Sequence, residues 1–435
     1  MKKENALWLL IVTMHLAGFI YQLSQKHLYT SDSTGYLLET QNIRAHFLFY
    51  CNDLKEPIDF RAFTMRPPVY PLFILLCKFF WNSDFAILLA QNLLSFLNFW
   101  LIFRFLKPFS FNSKIQTIVL GSFILFYPAQ VIYANMVMSE ILFQTFILLL
   151  FLNIYNFLKT KLNKHLYSAA LWLCLGMLTK PVLFIFSLVF VSGIIFYAFR
   201  ERNFKWLIPG CIPLAVVILY SFWNLERTGY FHFSSIKEIN LLHYNSYFLL
   251  QSLHGEQYAD STVSAINAQA ASLPDFKQQQ QYINQAANTI IFDNLFAYAK
   301  FHMKGIFTFF LDPGRFDLYS FFGINRQDSV FLTHFSSSNF NGMIGFLKTQ
   351  PLILLLLLGI IAFFNGIKSL AFFLFCLNRK ILLEMRISIA VLVIYLALLT
   401  GPLGASRFAV PAFPLMLIII AALLDFYMKR KAIKR

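Results

Sequence analysis

The sequence predicts an all-α polytopic membrane protein, and three observations carry that prediction. Of 435 residues, 58% are hydrophobic and only 13% charged, with 53 Phe and 20 Tyr; soluble domains run nearer 45–50% apolar and about 25% charged. The mean hydropathy is +0.62. Apolar runs of about 20 residues, each long enough to cross about 30 Å of hydrocarbon, recur along the chain. The same composition excludes disorder, which is poor in aromatics, and five Cys in this length exclude a secreted disulfide scaffold.

The net charge of +16 would suggest nucleic acid in a soluble chain, but much of it sits in short clusters between apolar runs. These are Lys2 and Lys3; Arg104, Lys107 and Lys114; Lys159, Lys161 and Lys164; Arg200, Arg202 and Lys205; Arg379, Lys380 and Arg386; and Lys429, Arg430, Lys431, Lys434 and Arg435. Clusters of this kind mark cytoplasmic loops, and no nucleic-acid partner is expected.

The elements follow in order within one membrane domain, 1–435. The first span, about 6–23, starts inside behind Lys2 and Lys3 and reads as an uncleaved helix. Residues 24–83 then form the first outer loop. Within it 68–81 is apolar but short for a span, and a crossing there would put Arg104, Lys107 and Lys114 outside; it is expected to dip into the outer leaflet as a re-entrant or interfacial helix. The central transmembrane bundle occupies 84–223, with spans at 84–106, 115–133, 140–158, 166–180, 181–199 and 206–223. A long outer loop, 224–349, exceeds what a structureless connection reaches; it should hold a polar helix at 276–291 and an interfacial one at 296–311. The C-terminal spans lie at 350–376, 387–400 and 408–427, and 428–435 is a basic cytoplasmic tail. About ten crossings bring both termini and every basic cluster to the cytoplasmic side.

Charges within this pattern point to one face. Of the 20 acidic residues, only Glu4, Glu201, Glu384 and Asp425 fall at cytoplasmic ends. On the outer face, isolated ionisable groups stand in apolar or Pro-rich surroundings: Asp32 and Tyr36 in Thr30-Ser31-Asp32-Ser33-Thr34-Gly35-Tyr36; Arg66 and Tyr70 in Arg66-Pro67-Pro68-Val69-Tyr70-Pro71; Glu140 after Met138-Ser139; Lys180 before Pro181; and Arg407 ahead of Phe408. Each has a plain alternative. Ser31 or Asp32 could cap a helix running to Gln41, Ser139 could cap one that begins at Glu140, Arg66-Pro67-Pro68 could simply start a helix, and Lys180 and Arg407 could snorkel. No HExxH, P-loop or GxSxG pattern occurs.

Taken in order, these segments resemble the membrane-embedded GT-C glycosyltransferases, in particular the bacterial relatives of dolichyl-phosphate-mannose–protein mannosyltransferases and of the lipid A aminoarabinose transferase. Asp32 with Tyr36 is similar to the family's Asp-x-x-x-Tyr opening of the first outer loop. Arg66 to Pro71 resembles Arg-x-Pro-hydrophobic-Tyr-Pro, and Ser139 to Phe143 resembles Ser/Thr-Glu-x-hydrophobic-Phe. Gly176 to Pro181 resembles Gly-x-x-Thr-Lys/Arg-Pro, and Arg407 to Pro414 resembles Arg-aromatic-x-x-Pro-x-x-Pro. Ser33 stands where the family often has a second acid, for which Asp53, Glu56 and Asp59 are candidates. The resemblance implies a GT-C-like bundle in a bacterial inner membrane, its active site on the periplasmic face. It also implies inverting transfer of a sugar from a polyprenyl-phosphate donor to an acceptor that is a protein, a lipid or a glycan. Asp32 would be the base, Lys180, Arg407 and Arg66 would bind the donor phosphate, and Glu140, Tyr36 and Tyr70 would position substrate. Membrane lipids would surround the bundle, and no metal ligand set is read, although the family allows a divalent metal. A polysaccharide polymerase or ligase and a lipid-linked sugar flippase are the competing classes.

Overall fold

A computed structural model describes residues 3–108, 114–324, 345, 351–402 and 404–433. Its helices follow the apolar runs. α1 (Lys3–Gln25) is the first span, and the first outer loop folds as α2 (Ser31–His46), a 3-10 turn (Phe60–Phe63) and α3 (Val69–Phe80). α3 has 12 residues and matches the short helix expected at 68–81. α4 (Asp84–Leu106), α5 (Lys114–Leu125), α6 (Ala129–Ala134), α7 (Glu140–Thr160), α8 (Asn163–Met177), α9 (Phe186–Arg200) and α10 (Leu207–Thr228) build the central bundle.

The long loop carries α11 (Ile236–Ile239), a π-helical turn (Asn240–Ser246), α12 (Tyr247–His254), α13 (Glu256–Ala271), α14 (Phe276–Asp293), α15 (Leu295–Leu311) and α16 (Arg315–Phe322). The helices expected at 276–291 and 296–311 are α14 and α15. Leu242, Val263, Ile266, Ala270, Ile283 and Ala287 give this part a small core of its own. The loop's end, 325–349, lies outside the described residues except for 345, as do 109–113 and the last two residues of the tail. The chain closes with α17 (Leu352–Leu377), α18 (Leu383–Leu399), α19 (Ser406–Ala409), a 3-10 turn (Val410–Ala412) and α20 (Phe413–Ile433).

Among the described residues, seven stretches are long and apolar enough to cross a membrane: Glu4–Gln25, Asp84–Leu106, Glu140–Thr160, Pro181–Arg200, Phe204–Thr228, Leu352–Leu377 and Ser406–Arg430. The protein is a multi-pass helical membrane protein. The other three expected crossings correspond to α5 with α6, to α8 at 15 residues and to α18 at 17. One expectation is corrected: 115–133 is not a single span. The helix stops at Leu125 and restarts at Ala129, because Pro128 removes a donor and disfavours helical backbone at Tyr127.

Two of the seven are enclosed by protein. α7 and Ser406–Arg430 have 72% and 83% of their apolar windows buried, against 17% for α17. A helix apolar all round belongs in the middle of a bundle. Polar side chains pin this centre: Gln144 of α7 accepts from Asn98 of α4 and Gln130 of α6, both at 2.9 Å, and donates to the Val410 carbonyl at 2.6 Å. In an apolar surround such bonds join helices that hydrophobicity alone leaves free to slide.

Candidate functional site

α2 opens on a capping box in which Thr30, not Ser31 or Asp32, is the N-cap and Ser33 returns the bond. The cap reading of Asp32 is therefore corrected: its carboxylate is free of that duty. Ser33 also donates to the Val137 carbonyl at 2.8 Å, tying α2 to the segment before α7. Asp32 and Tyr36 are one turn apart on the same face.

Arg66 precedes two prolines at the mouth of α3 and crosses α2 at Gly35, where a Cβ would sit 3.4 Å from its Nε. Its guanidinium lies 4.8 Å over the Tyr36 ring. Tyr36 meets Tyr70 edge to face at 4.7 Å and Ser139 Oγ at 3.2 Å. Ser139 occupies the cap position of α7 but makes no side-chain cap bond. Tyr70 is wholly buried and donates to Gln91 at 2.7 Å, so it reaches the charged groups only through Tyr36.

Glu140 starts α7. Lys180 sits in the break between α8 and α9, and the Leu178 carbonyl beside it accepts from the Val69 amide of α3 at 3.0 Å. Arg407 stands on α19 after a turn in which Gly404 has φ +40°, and a Cβ there would lie 1.9 Å from the Gly305 carbonyl. Only glycine allows that approach, which seats the turn on α15.

These positions converge. Arg66 Nη2 pairs with Asp32 Oδ1 at 2.6 Å, and Arg407 Nη2 pairs with Asp32 Oδ2 at 2.5 Å. Arg407 Nε bonds Glu140 Oε1, and Lys180 Nζ reaches the same oxygen at 2.7 Å. Residues separated by up to 375 positions thus form one chain: Arg66–Asp32–Arg407–Glu140–Lys180. It is half open, with 23% of the Asp32 and Arg407 side chains exposed, 14% of Arg66 and of Lys180, and none of Glu140. Burial alone would raise the Asp32 carboxyl, but Arg407 and Arg66 outweigh it and hold it well below the usual carboxylate range. Both of its oxygens are occupied by guanidinium. As it stands, Asp32 is ionised and a weak base.

Three groups around Ser406 were missed by sequence reasoning. Asp312 and Asp317 come from the long loop. Asp312 accepts from the Ser406 amide at 2.7 Å and the Gly314 amide at 3.0 Å; Asp317 accepts from Tyr133 at 2.6 Å and from the Ser406 hydroxyl. A buried carboxyl, Asp317, and a half-buried one, Asp312, therefore clamp the residue next to Arg407. Lys368, in the middle of α17, is the third. It lies 3.9 Å over the Tyr127 ring, beside a cavity of about 30 Å³ that Asp312, Asn365 and Ser406 also line. Asp53, Glu56 and Asp59 do not join the site: they bond the Lys55 amide, Asn52 and Arg61 respectively. Among the described residues no three His, Cys, Asp or Glu side chains gather to hold a metal ion.

Burial pushes Asp317 from the ordinary 3.8 up to about 7, with Ser406 and Tyr133 offsetting part of it. A carboxyl raised on folding stabilises the fold below its unfolded value, and that stability drains as pH rises through the folded one. The loss between pH 4 and pH 7 is on the order of 4 kcal/mol. Asp317→Asn should flatten this fall in thermal stability, read as Tm against pH. A variant that loses stability over this range as steeply as the parent would disprove the assignment.

No protein-family model matches the chain, and no curated protein matches it. Among solved structures it is similar to ArnT from Cupriavidus metallidurans bound to undecaprenyl phosphate, at 14% identity over 96% of this chain and 76% of that one, with a TM-score of 0.38. It is similar to the apo form of the same protein at 12% identity, over 97% and 77%, with a TM-score of 0.37.

Proposed function

We propose that this chain is a GT-C-type glycosyltransferase that moves a sugar from a polyprenyl-phosphate donor to an acceptor hydroxyl at the outer membrane face, with inversion. One observation supports it above all others: the five-residue chain of ion pairs at one end of an apolar bundle. Its three cations and two acids leave one positive charge, which balances the single negative charge of a sugar phosphodiester. In the transition state the leaving phosphate gains further charge, and cations already in place stabilise it without reorganisation.

Arg407 and Lys180 both rest on Glu140, so an arriving phosphate competes with Glu140 and Asp32 for them. Drawing Arg407 away frees Asp32 Oδ2. The acceptor oxygen then attacks the anomeric carbon while Asp32 takes its proton, and the carbon–oxygen bond to phosphate breaks with its electrons passing to the phosphate. Attack from the side opposite the phosphate inverts the centre. α7 begins at this site and ends at Lys159 and Lys161, so the site and the basic clusters occupy opposite ends of the bundle, and positive clusters favour the cytoplasm. Only a membrane-carried donor reaches the outer face. The exposed apolar faces of α1, α10 and α17 offer its tail a lipid-like wall.

The test is transfer by purified protein in detergent from a polyprenyl-phosphate sugar, set against a nucleotide sugar. Turnover is expected with the lipid-linked donor only; transfer from the nucleotide sugar alone would overturn the reading.

A further inference from the structure

Glu39 is the acid that the ion-pair chain leaves out. It lies on α2 seven residues after Asp32, and two helical turns take about 7.2 residues, so both point to one face. It is 1% exposed. Its Oε2 is buried with no hydrogen-bond partner among the described residues, and so is Nε of Arg66, whose Nη2 holds Asp32. Buried polar groups are usually hydrogen-bonded, so an unbonded carboxyl oxygen and guanidinium nitrogen on one face call for an explanation.

The groups that face Glu39 are few. Arg227 of α10 and Arg66 act on its charge, Tyr220 of α10 senses it, and so does Cys51 from the loop after α2. Arg227 holds partners of its own: Nη2 donates to Asn224 at 2.5 Å, Nη1 to the Phe49 carbonyl at 3.4 Å, and the guanidinium stacks 3.6 Å over Trp223, although its Nε, like that of Arg66, is buried without a bond among the described residues. Burial pushes the Glu39 carboxyl well above the usual range, and Arg227 and Arg66 offset only part of this. Burial thus favours the neutral form of Glu39 while Arg66 is held by Asp32.

We propose that Glu39 is a second seat for Arg66. When Asp32 takes the acceptor's proton and loses its charge, Arg66 turns to Glu39, which ionises and releases its own proton to water. The pair carries one negative charge and one proton before and after. It resets when Asp32 passes its proton back to Glu39 and recovers Arg66. The two positions are about 10 Å apart along the helix, within the swing of an arginine side chain. By receiving the arginine as Asp32 is protonated, Glu39 offsets the part of the weak basicity of Asp32 that Arg66 causes, Arg407 causing the rest. It is a positioning residue that acts through Arg66, and the kinetic part of this inference rests on Asp32 being the base.

Infrared spectroscopy of the purified protein tests the exchange without any turnover. Above about pH 8, where Asp317 with its value of about 7 is ionised, the parent should show a protonated-carboxyl band that shifts in Glu39→Asp and is lost in Glu39→Gln. Asp32→Asn carries a neutral side chain, as protonated Asp32 does, so Arg66 should move and the band should disappear. A band unchanged in Asp32→Asn overturns the proposal. In transfer assays Glu39→Gln should lower turnover ~10-fold, leave the donor KM unchanged and move the acid limb of the pH–rate profile to lower pH, with Glu39→Asp recovering part. In an Arg66→Met background Glu39→Gln should add nothing; an additive loss there also sinks the proposal. Near-normal turnover of Asp32→Asn removes Asp32 as the base, and the infrared result then still decides whether Arg66 has two seats.

Discussion

Arg407→Met is expected to lower turnover ~10²–10³-fold, the loss that follows removal of one preorganised donor to a developing oxyanion. The network explains why the protein should survive the change. Without Arg407, Asp32 keeps Arg66 at 2.6 Å and Glu140 keeps Lys180 at 2.7 Å, so neither acid is stranded and the chain falls into two neutral pairs. What disappears is the one surplus positive charge. Affinity for a polyprenyl phosphate product, which bears more negative charge than the diester donor, should therefore fall further than affinity for the donor. Acceptor KM should stay near the parent's. Lys180→Met removes the same surplus while leaving Glu140 bonded to Arg407, and should show a loss of similar size. The measurement is steady-state transfer together with product inhibition by undecaprenyl phosphate. If Arg407→Met keeps turnover within a few-fold of the parent, the charge does not act on the leaving group.

That the five members of this network could be named from sequence has a physical basis. A charge within an apolar run is costly, so those that persist stand out against Phe and Leu, and they fall at helix ends where the chain changes direction. Arg66 before Pro67-Pro68, Lys180 before Pro181 and Arg407 after Gly404 are each marked by residues that break helices. Asp312 and Asp317 were illegible because Asp312-Pro313-Gly314 reads as an ordinary turn and Asp317 as an acid in the first turn of a short helix, and only tertiary folding brings them to Ser406. Glu39 was hidden for a related reason. α2 is polar along its length, and a carboxylate there reads as solvated until α3 and α10 close over it. The interrupted helix at 126–128 was legible in principle, since Tyr127 precedes a proline, but the unbroken hydropathy of 115–133 masked it. Hydropathy sees apolar content and is blind to a lost backbone donor.

Asp32→Asn should cost at least ~10²-fold in transfer, the low end of what a general base contributes. The amide keeps the shape of the carboxylate but cannot take the acceptor's proton. Helix α2 should be untouched, because Thr30 and Ser33 make its cap and Asp32 has no part in it. The structural cost falls instead on the arginines. Removing one partner of a buried ion pair costs ~3–5 kcal/mol when the other is stranded, but Arg407 retains Glu140, Arg66 has Glu39 nearby, and 23% of the Asp32 side chain is exposed. The loss of Tm should therefore be modest while the loss of turnover is large. Binding of undecaprenyl phosphate should hold or tighten, since Asp32 no longer competes for Arg407. This opposition, weaker catalysis with phosphate binding intact, separates a base from a phosphate ligand. It is read by comparing kcat with the thermal shift that undecaprenyl phosphate produces. If turnover and phosphate binding fell together, Asp32 would be a support for Arg407 and not the base, and Glu140 would be the next carboxylate to test.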